Sequence, residues 1–256
     1  MFILNLSKRV AIVFFAMSGA VFANETSVQT PNGVISGNIG VVSKYIYRGG
    51  VESDDLAAQG GIEYAHKSGI KVGYWGSTLD YNPAHEDKNF GFENDLYLAY
   101  GHEVNQNWSY NLQATAYIYH NTNNIVADNG DKRPVTSYDL TASLIYKNLT
   151  LLSAVTLADS SASNIGDTYL SAMYSYALPQ DFSLNTSIGA TAYNSSHDDE
   201  VVQTQKDFAF NEARIGVSKH FANTGLVASV DYVIGGEDRS GEDFDDHVVF
   251  GLNYNF

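Results

Sequence analysis

The last ten residues, His247 to Phe256, place Val248, Phe250, Leu252, Tyr254 and Phe256 at every second position, and the run ends on an aromatic ring. Period two is strand geometry, because successive side chains leave opposite faces of a sheet. A chain end frays unless something ties it down, so an apolar face of this size at a terminus needs a partner along its length. Acyl chains are such a partner. In a transmembrane barrel each strand shows one face to lipid and the other to the lumen, which yields this dyad pattern.

The other end of the chain agrees with export. Lys8 and Arg9 precede the apolar run Val10 to Met17 and the small-residue pattern Val21-Phe22-Ala23, which reads as a secretory leader. The expected division is a signal peptide over 1–23, a flexible lead-in over 24–33 and a barrel over 34–256. No other apolar run approaches the ~18 residues of a spanning helix. The chain has no Cys, which excludes thiolate metal sites and cysteine nucleophiles. With the two leader cations set aside, 12 Lys and Arg stand against 29 Asp and Glu, a charge of −17. That charge repels phosphate backbones and argues against nucleic acid as a partner.

Twelve segments fit the period-two template: 34–48, 57–67, 70–79, 93–104, 108–119, 137–147, 149–158, 167–178, 182–194, 208–219, 225–235 and 245–256. In the fifth, Trp108, Tyr110, Leu112, Ala114, Ala116 and Ile118 share one face, while Ser109, Asn111, Gln113 and Thr115 share the other. Short connections rich in turn residues, such as Lys67-Ser68-Gly69 and Lys147-Asn148, alternate with long ones near 49–56, 80–92, 120–136, 159–166, 195–207 and 236–244. The expected fold class is therefore all-β, a transmembrane antiparallel barrel of about twelve strands in the bacterial outer membrane. A soluble β-sandwich also alternates, but twelve strands of ~10 residues have the length that crosses a bilayer at a tilt. The closing strand is expected to pair with the one carrying Ile35, Ile39, Val41, Tyr45 and Tyr47. Gly251, Tyr254 and Phe256 match the terminal insertion signal of such barrels, whereas Val249 stands where that signal has a polar residue. Phe256 is thus the expected handle for the barrel-assembly machinery, with outer-membrane lipid and lipopolysaccharide as the surrounding partners.

Ser43-Lys44-Tyr45-Ile46-Tyr47-Arg48-Gly49, Gln59-Gly60-Gly61-Ile62-Glu63-Tyr64, Ser68 to Ser77, Glu93-Asn94-Asp95-Leu96-Tyr97 and Tyr100-Gly101 together resemble the TorF-type porin family of proteobacterial outer membranes, also called GCW_CHP. The resemblance is densest over residues 40–101 and runs collinearly to Phe256. It implies an outer-membrane barrel taken to be a channel, and it carries over no catalytic or ligand-binding residue.

Alternation also assigns a lumen face. Charges at lipid-facing positions cost ~2–4 kcal/mol for Arg or Lys at the midplane, which directs Lys44 and Arg48 of the first strand, Glu63, Lys71, Glu93, Asp95, Asp139, Glu212, Arg214, Asp231 and Asp245 inward. Trp75, Tyr97 and Tyr117 share that face. These residues either set a transverse field that orients polar solutes or pair across the lumen and fill it. The loops add clusters of carboxylates, among them Glu52, Asp54 and Asp55, Glu86 and Asp87, Asp198 to Glu200, and Glu237, Asp238, Glu242 and Asp243. None has the Asp-x-Asp-x-Asp-Gly calcium-loop spacing, so an acidic rim that gathers cations is the expectation.

Catalysis finds little support. The sole His-x-Ser, His66-Lys67-Ser68, continues into Gly69-Ile70 and falls in a short turn, unlike the His-x-Ser pair followed by Asn-Gly of twelve-stranded phospholipases. The other histidines lack metal-ligand spacing, and no glycine-rich phosphate loop opens a helix. The expected function is passive diffusion of small polar solutes with a preference for cations, without catalysis, cofactor or metal. A non-conducting barrel that binds partners through its acidic loops is the alternative. Loop 120–136, with Asp128, Asp131, Lys132 and Arg133, is the expected segment to fold inward.

Overall fold

The computed structural model describes residues 27–82, 90–119 and 124–256. The expected leader, the first residues of the expected lead-in, Glu86 and Asp87 lie outside them. β1 (Val28–Thr30) folds back on β2 (Gly33–Val42), and a small ribbon follows, β3 (Tyr45–Tyr47) with β4 (Gly50–Ser53). β5 (Ala57–His66), β6 (Ile70–Leu79), β7 (Gly91–Glu103) and β8 (Trp108–Tyr119) form two hairpins. A second ribbon, β9 (Ile125–Val126) with β10 (Lys132–Arg133), precedes β11 (Ser137–Tyr146) and β12 (Leu149–Thr156). β13 (Thr168–Leu178), β14 (Phe182–Ala192), β15 (Phe208–His220), β16 (Leu226–Gly235) and β17 (His247–Asn255) complete the chain.

Twelve of these strands make one closed antiparallel wall. Each pairs with its neighbour in order, and β2 closes the ring by pairing with β17 on one side and β5 on the other, with Tyr254 opposite Ile39 and Val42 opposite Ala57. The seam is fastened again where Phe256 N donates to Gly37 O at 2.9 Å and Gly37 N to Phe256 O at 2.7 Å. Closure leaves no edge with unpaired backbone groups, the condition for crossing a bilayer by strands. Among the described residues no helix is long and apolar enough to cross a membrane.

The two faces separate as their chemistry requires. Ile39, Leu98, Ile188, Ile215 and Phe250 are each at least half exposed, and Phe250 reaches 59 %. An apolar belt of this extent on a closed wall is matched to lipid. Aromatic rings gather at the short-turn rim, where Trp108 and Tyr146 lie 4.5 Å apart and Tyr254 stacks near Phe256.

The first strand is shorter than its alternation suggests. Ser43 still exchanges bonds with Phe250, its amide donating to Phe250 O and its hydroxyl accepting from Phe250 N, and there the chain leaves the wall. Lys44 and Arg48 therefore do not lie on a barrel strand. Tyr45 and Tyr47, expected on the lipid face, turn inward with the β3–β4 ribbon, where Tyr45 is 7 % exposed.

Candidate functional site

The inward ribbon occupies the lumen at the long-loop end and defines the site. Its turn places Arg48 at φ 50° and Gly49 at φ 90°, both left-handed, as a two-residue hairpin loop demands. Gly49 is required there twice over, because a Cβ would also fall 2.4 Å from Asn211 O. The ribbon is seated on apolar side chains from the inner wall: Val42, Ala57, Trp75, Leu79, Val233 and Val249 bury with Tyr45 and Ile46 in one cluster. The ring of Tyr45 meets Trp75 edge-on at 5.6 Å. Val249 thereby finds its role, since the apolar residue in the insertion signal forms part of the ribbon's seat.

Polar contacts hold the ribbon across the bore. Arg48 Nη2 donates to Asp139 Oδ2 at 2.6 Å, and its guanidinium lies between the rings of Tyr47 and Tyr169 at 4.8 and 4.7 Å. Tyr47 Oη bonds Tyr117 Oη at 3.2 Å, and Arg214 Nη2 donates to Ile46 O at 3.1 Å. Asp139, Tyr117, Tyr169 and Arg214 come from β11, β8, β13 and β15, so the ribbon is tied to much of the circumference. Lys44, where the chain departs, pairs with Asp54, where it returns.

The remaining lumen candidates form two walls. On β15, Glu212 is fully buried and accepts from Arg214 Nε at 2.8 Å and from Tyr169 Oη at 3.1 Å. Asp231 of β16 sits opposite Gly216, whose missing side chain leaves the space its carboxylate fills. On the facing wall, β5, β6 and β7 stack inward residues in register, with Ser77 beside Glu93, Trp75 beside Asp95, and Gly73 between Glu63 and Tyr97. Tyr97 Oη donates to Glu63 Oε2 at 3.2 Å, and Tyr119 Oη to Glu93 Oε1 at 3.4 Å. Lys71, one row further toward the short turns, acts electrostatically on Glu63. Glu63, Glu93 and Asp95 are 3 %, 3 % and 7 % exposed, yet Glu63 Oε1, Glu93 Oε2 and Asp95 Oδ1 have no hydrogen-bond partner among the described residues.

Charge pairing is thus lopsided. Arg48 and Arg214 each hold a carboxylate, whereas Glu93 and Asp95 face the ribbon's own Glu52. Glu52 reads as an ordinary loop acid in sequence, but the ribbon carries it to the mouth, where Tyr81 Oη donates to its Oε2 at 2.9 Å. The signal that could have revealed the ribbon is the set of apolar residues on the polar face of four strands, Val42, Leu79, Val233 and Val249, all near the long-loop end.

Loop 120–136 does not fill the bore in its described part. It packs on neighbouring loops through Arg133, which is 3 % exposed and donates to Asp199 Oδ2 at 2.6 Å, Asn164 Oδ1 at 2.7 Å, Ser160 O at 3.2 Å and Ser163 O at 3.1 Å. Arg239 Nη2 joins a further loop to Asp167 Oδ2 at 2.6 Å. Burial pushes the Asp199 carboxyl up, but the Arg133 bond and the amides of Val201 and Val202 outweigh it and hold the group below the ordinary carboxylate value. Asp198 is lowered in the same manner, burial being overcome by the amide and hydroxyl of Thr204 and by Asn164. Asp245, expected inward, lies exposed in the loop before β17. Among the described residues no three His, Cys, Asp or Glu converge as metal ligands.

Comparison with known proteins agrees with the architecture. The profile of a family described as "Bacterial protein of unknown function (Gcw_chp)" matches residues 26–247. No curated protein matches the sequence significantly. Among solved structures, the COG4313 outer membrane channel from Pseudomonas putida F1 is similar at a TM-score of 0.52 and 12 % identity, covering 92 % of this chain and 98 % of that one. A structure titled KdgM porin is similar at a TM-score of 0.51 and 7 % identity, covering 86 % of this chain and 98 % of that one. At such identities the likeness is one of fold. The closed twelve-stranded wall, its apolar belt and these matches make the chain an outer-membrane β-barrel.

Proposed function

The chain belongs to the Gcw_chp family, and on that premise we propose that it is a narrow outer-membrane channel through which small polar solutes diffuse passively, cations in preference to anions. The observation that carries this reading is the unequal pairing beside the ribbon. Arg48 and Arg214 are neutralised by Asp139 and Glu212, while Glu93 and Asp95 lack cationic partners among the described residues. The net field in the bore is therefore negative, and a low-dielectric wall focuses it. Lys44, Arg48, Glu63, Lys71, Trp75, Glu93, Asp95, Tyr97, Asp139, Glu212, Arg214 and Asp231 form its lining in this reading, and the titles of the two similar structures, a porin and a channel, support it. Lipopolysaccharide around the belt and the assembly machinery at Phe256 belong to the same proposal.

A planar-bilayer recording of the full chain under a potassium chloride gradient tests it. The expected reversal potential has the sign of cation preference, and Glu93→Gln with Asp95→Asn moves it toward zero. Silence at high salt, with a barrel shown to be folded, would refute conduction. It would favour the second reading, a non-conducting surface barrel, for which the seated ribbon and interlocked loops speak.

A further inference from the structure

Three buried carboxylates of one wall follow each other down the barrel. Glu93 and Asp95 are successive inward residues of β7, and Glu63 lies in the next row, across Gly73 from Tyr97. Same-face neighbours along a strand are ~7 Å apart, which separates Glu93 from Asp95, while Glu63 lies one row further on and two strands across, a longer step. Glu52 stands above it at the mouth. Each step has an oxygen without a hydrogen-bond partner among the described residues: Glu93 Oε2, Asp95 Oδ1 and Glu63 Oε1.

A buried acceptor left without a donor is costly, and more so when charged, so a row of three points to a ligand that supplies donors. Arg48 and Arg214 are engaged elsewhere, and Lys71, whose charge acts on Glu63, still leaves Glu63 Oε1 without a hydrogen bond. A divalent metal needs several oxygens around one point, whereas these carboxylates are strung along a line and no metal cluster forms among the described residues. A quaternary ammonium carries charge but no N–H, and would leave the oxygens unsatisfied.

From these constraints we infer that the β5–β7 wall is a track for organic cations bearing N–H groups, ammonium or guanidinium, which pass from Glu93 to Asp95 to Glu63. Tyr97 holds one oxygen of Glu63 and leaves the other without a hydrogen-bond partner among the described residues. Charge-assisted bonds at each step are strong enough to draw the solute in, and a succession of such sites lets it move on. This rests on the channel reading, and names the class of solute for it.

The test is calorimetric titration of the folded full chain in detergent at pH 7, using n-butylammonium and methylguanidinium, with tetramethylammonium and calcium as comparators. Saturable binding of the two N–H cations is expected, at least tenfold tighter than tetramethylammonium. Glu93→Gln and Asp95→Asn should each weaken it tenfold or more, and Glu63→Gln serves if either fails the heat-dependent gel shift of a folded barrel. Equal binding of tetramethylammonium, binding of calcium alone, no binding, or binding untouched by the substitutions would each overturn the track. The wild-type comparison decides even if no variant folds. Conductance of the same preparation separates the two ideas: current without binding defeats the track alone, and binding without current defeats the channel alone.

Discussion

Gly73 and Tyr97 are register partners on adjacent strands, and the tyrosine ring lies where a side chain at 73 would be, 2.1 Å from an ideal Cβ. Its hydroxyl thereby reaches past β6 to Glu63 on β5. Gly73→Ala should expel the ring, break that bond and lower stability by about 1–3 kcal/mol, the usual cost of overpacking a filled interior. Urea unfolding in lipid measures this. Gly50→Ala, whose nearest contact would be 3.5 Å away, should move the midpoint little.

Asp139→Asn leaves the Arg48 guanidinium facing a neutral amide. Removing one partner of a buried pair typically costs about 3–5 kcal/mol, and here the loss falls on the ribbon, because the wall is held by its own backbone ladder. In a Trp108→Phe background Trp75 remains as the single tryptophan of the chain, and its contact with Tyr45 reports the ribbon's position. Its emission should shift to longer wavelength in the Asp139 variant, and conductance should rise. An unshifted spectrum would mean that the apolar seat alone secures the ribbon.

Arg133→Ala removes the staple between three loops. Limited proteolysis of intact cells should cut 159–166 and 195–207 at least several-fold faster, while the strand core stays protected. Arg133→Lys should rescue little, since one ammonium cannot reproduce donors directed at Asp199, Asn164 and the carbonyls of Ser160, Ser163 and His197.

The same loops should respond to acid. Asp198 and Asp199 have carboxyl values below the ordinary 3.8, so their stabilisation is complete above that value and is lost as pH falls through the lowered ones. Amide resonances of 195–207 in micelles should stay sharp and fixed from pH 7 to about 4, and broaden in stronger acid before the strand resonances change. Simultaneous loss of both sets would contradict this order.

What the sequence makes legible is the wall. Alternation in segments such as Trp108 to Ile118 locates strands within a few residues, because lipid and lumen impose opposite chemistry on neighbouring positions. The ribbon is hidden because Tyr45 and Tyr47 continue the phase of Ile39 and Val41, although a lumen seat and not lipid receives Tyr45. Period two records that a side chain is on the apolar face of a strand, and is silent on whether that strand still belongs to the wall. Glu52 shares the difficulty, as proximity to Glu93 arises only once the ribbon folds inward. Pairings such as Arg133 with Asp199 connect loops 66 residues apart, beyond the reach of any local pattern.

Val42 pairs directly with Ala57, so the wall closes at the ribbon's base without help from residues 44–56. The segment that shapes the bore is in effect a cassette set into a finished cylinder. Evolution or an engineer can exchange it, altering the width and charge of the passage, while the strands that must be recognised, inserted and zipped together by the membrane keep their wording.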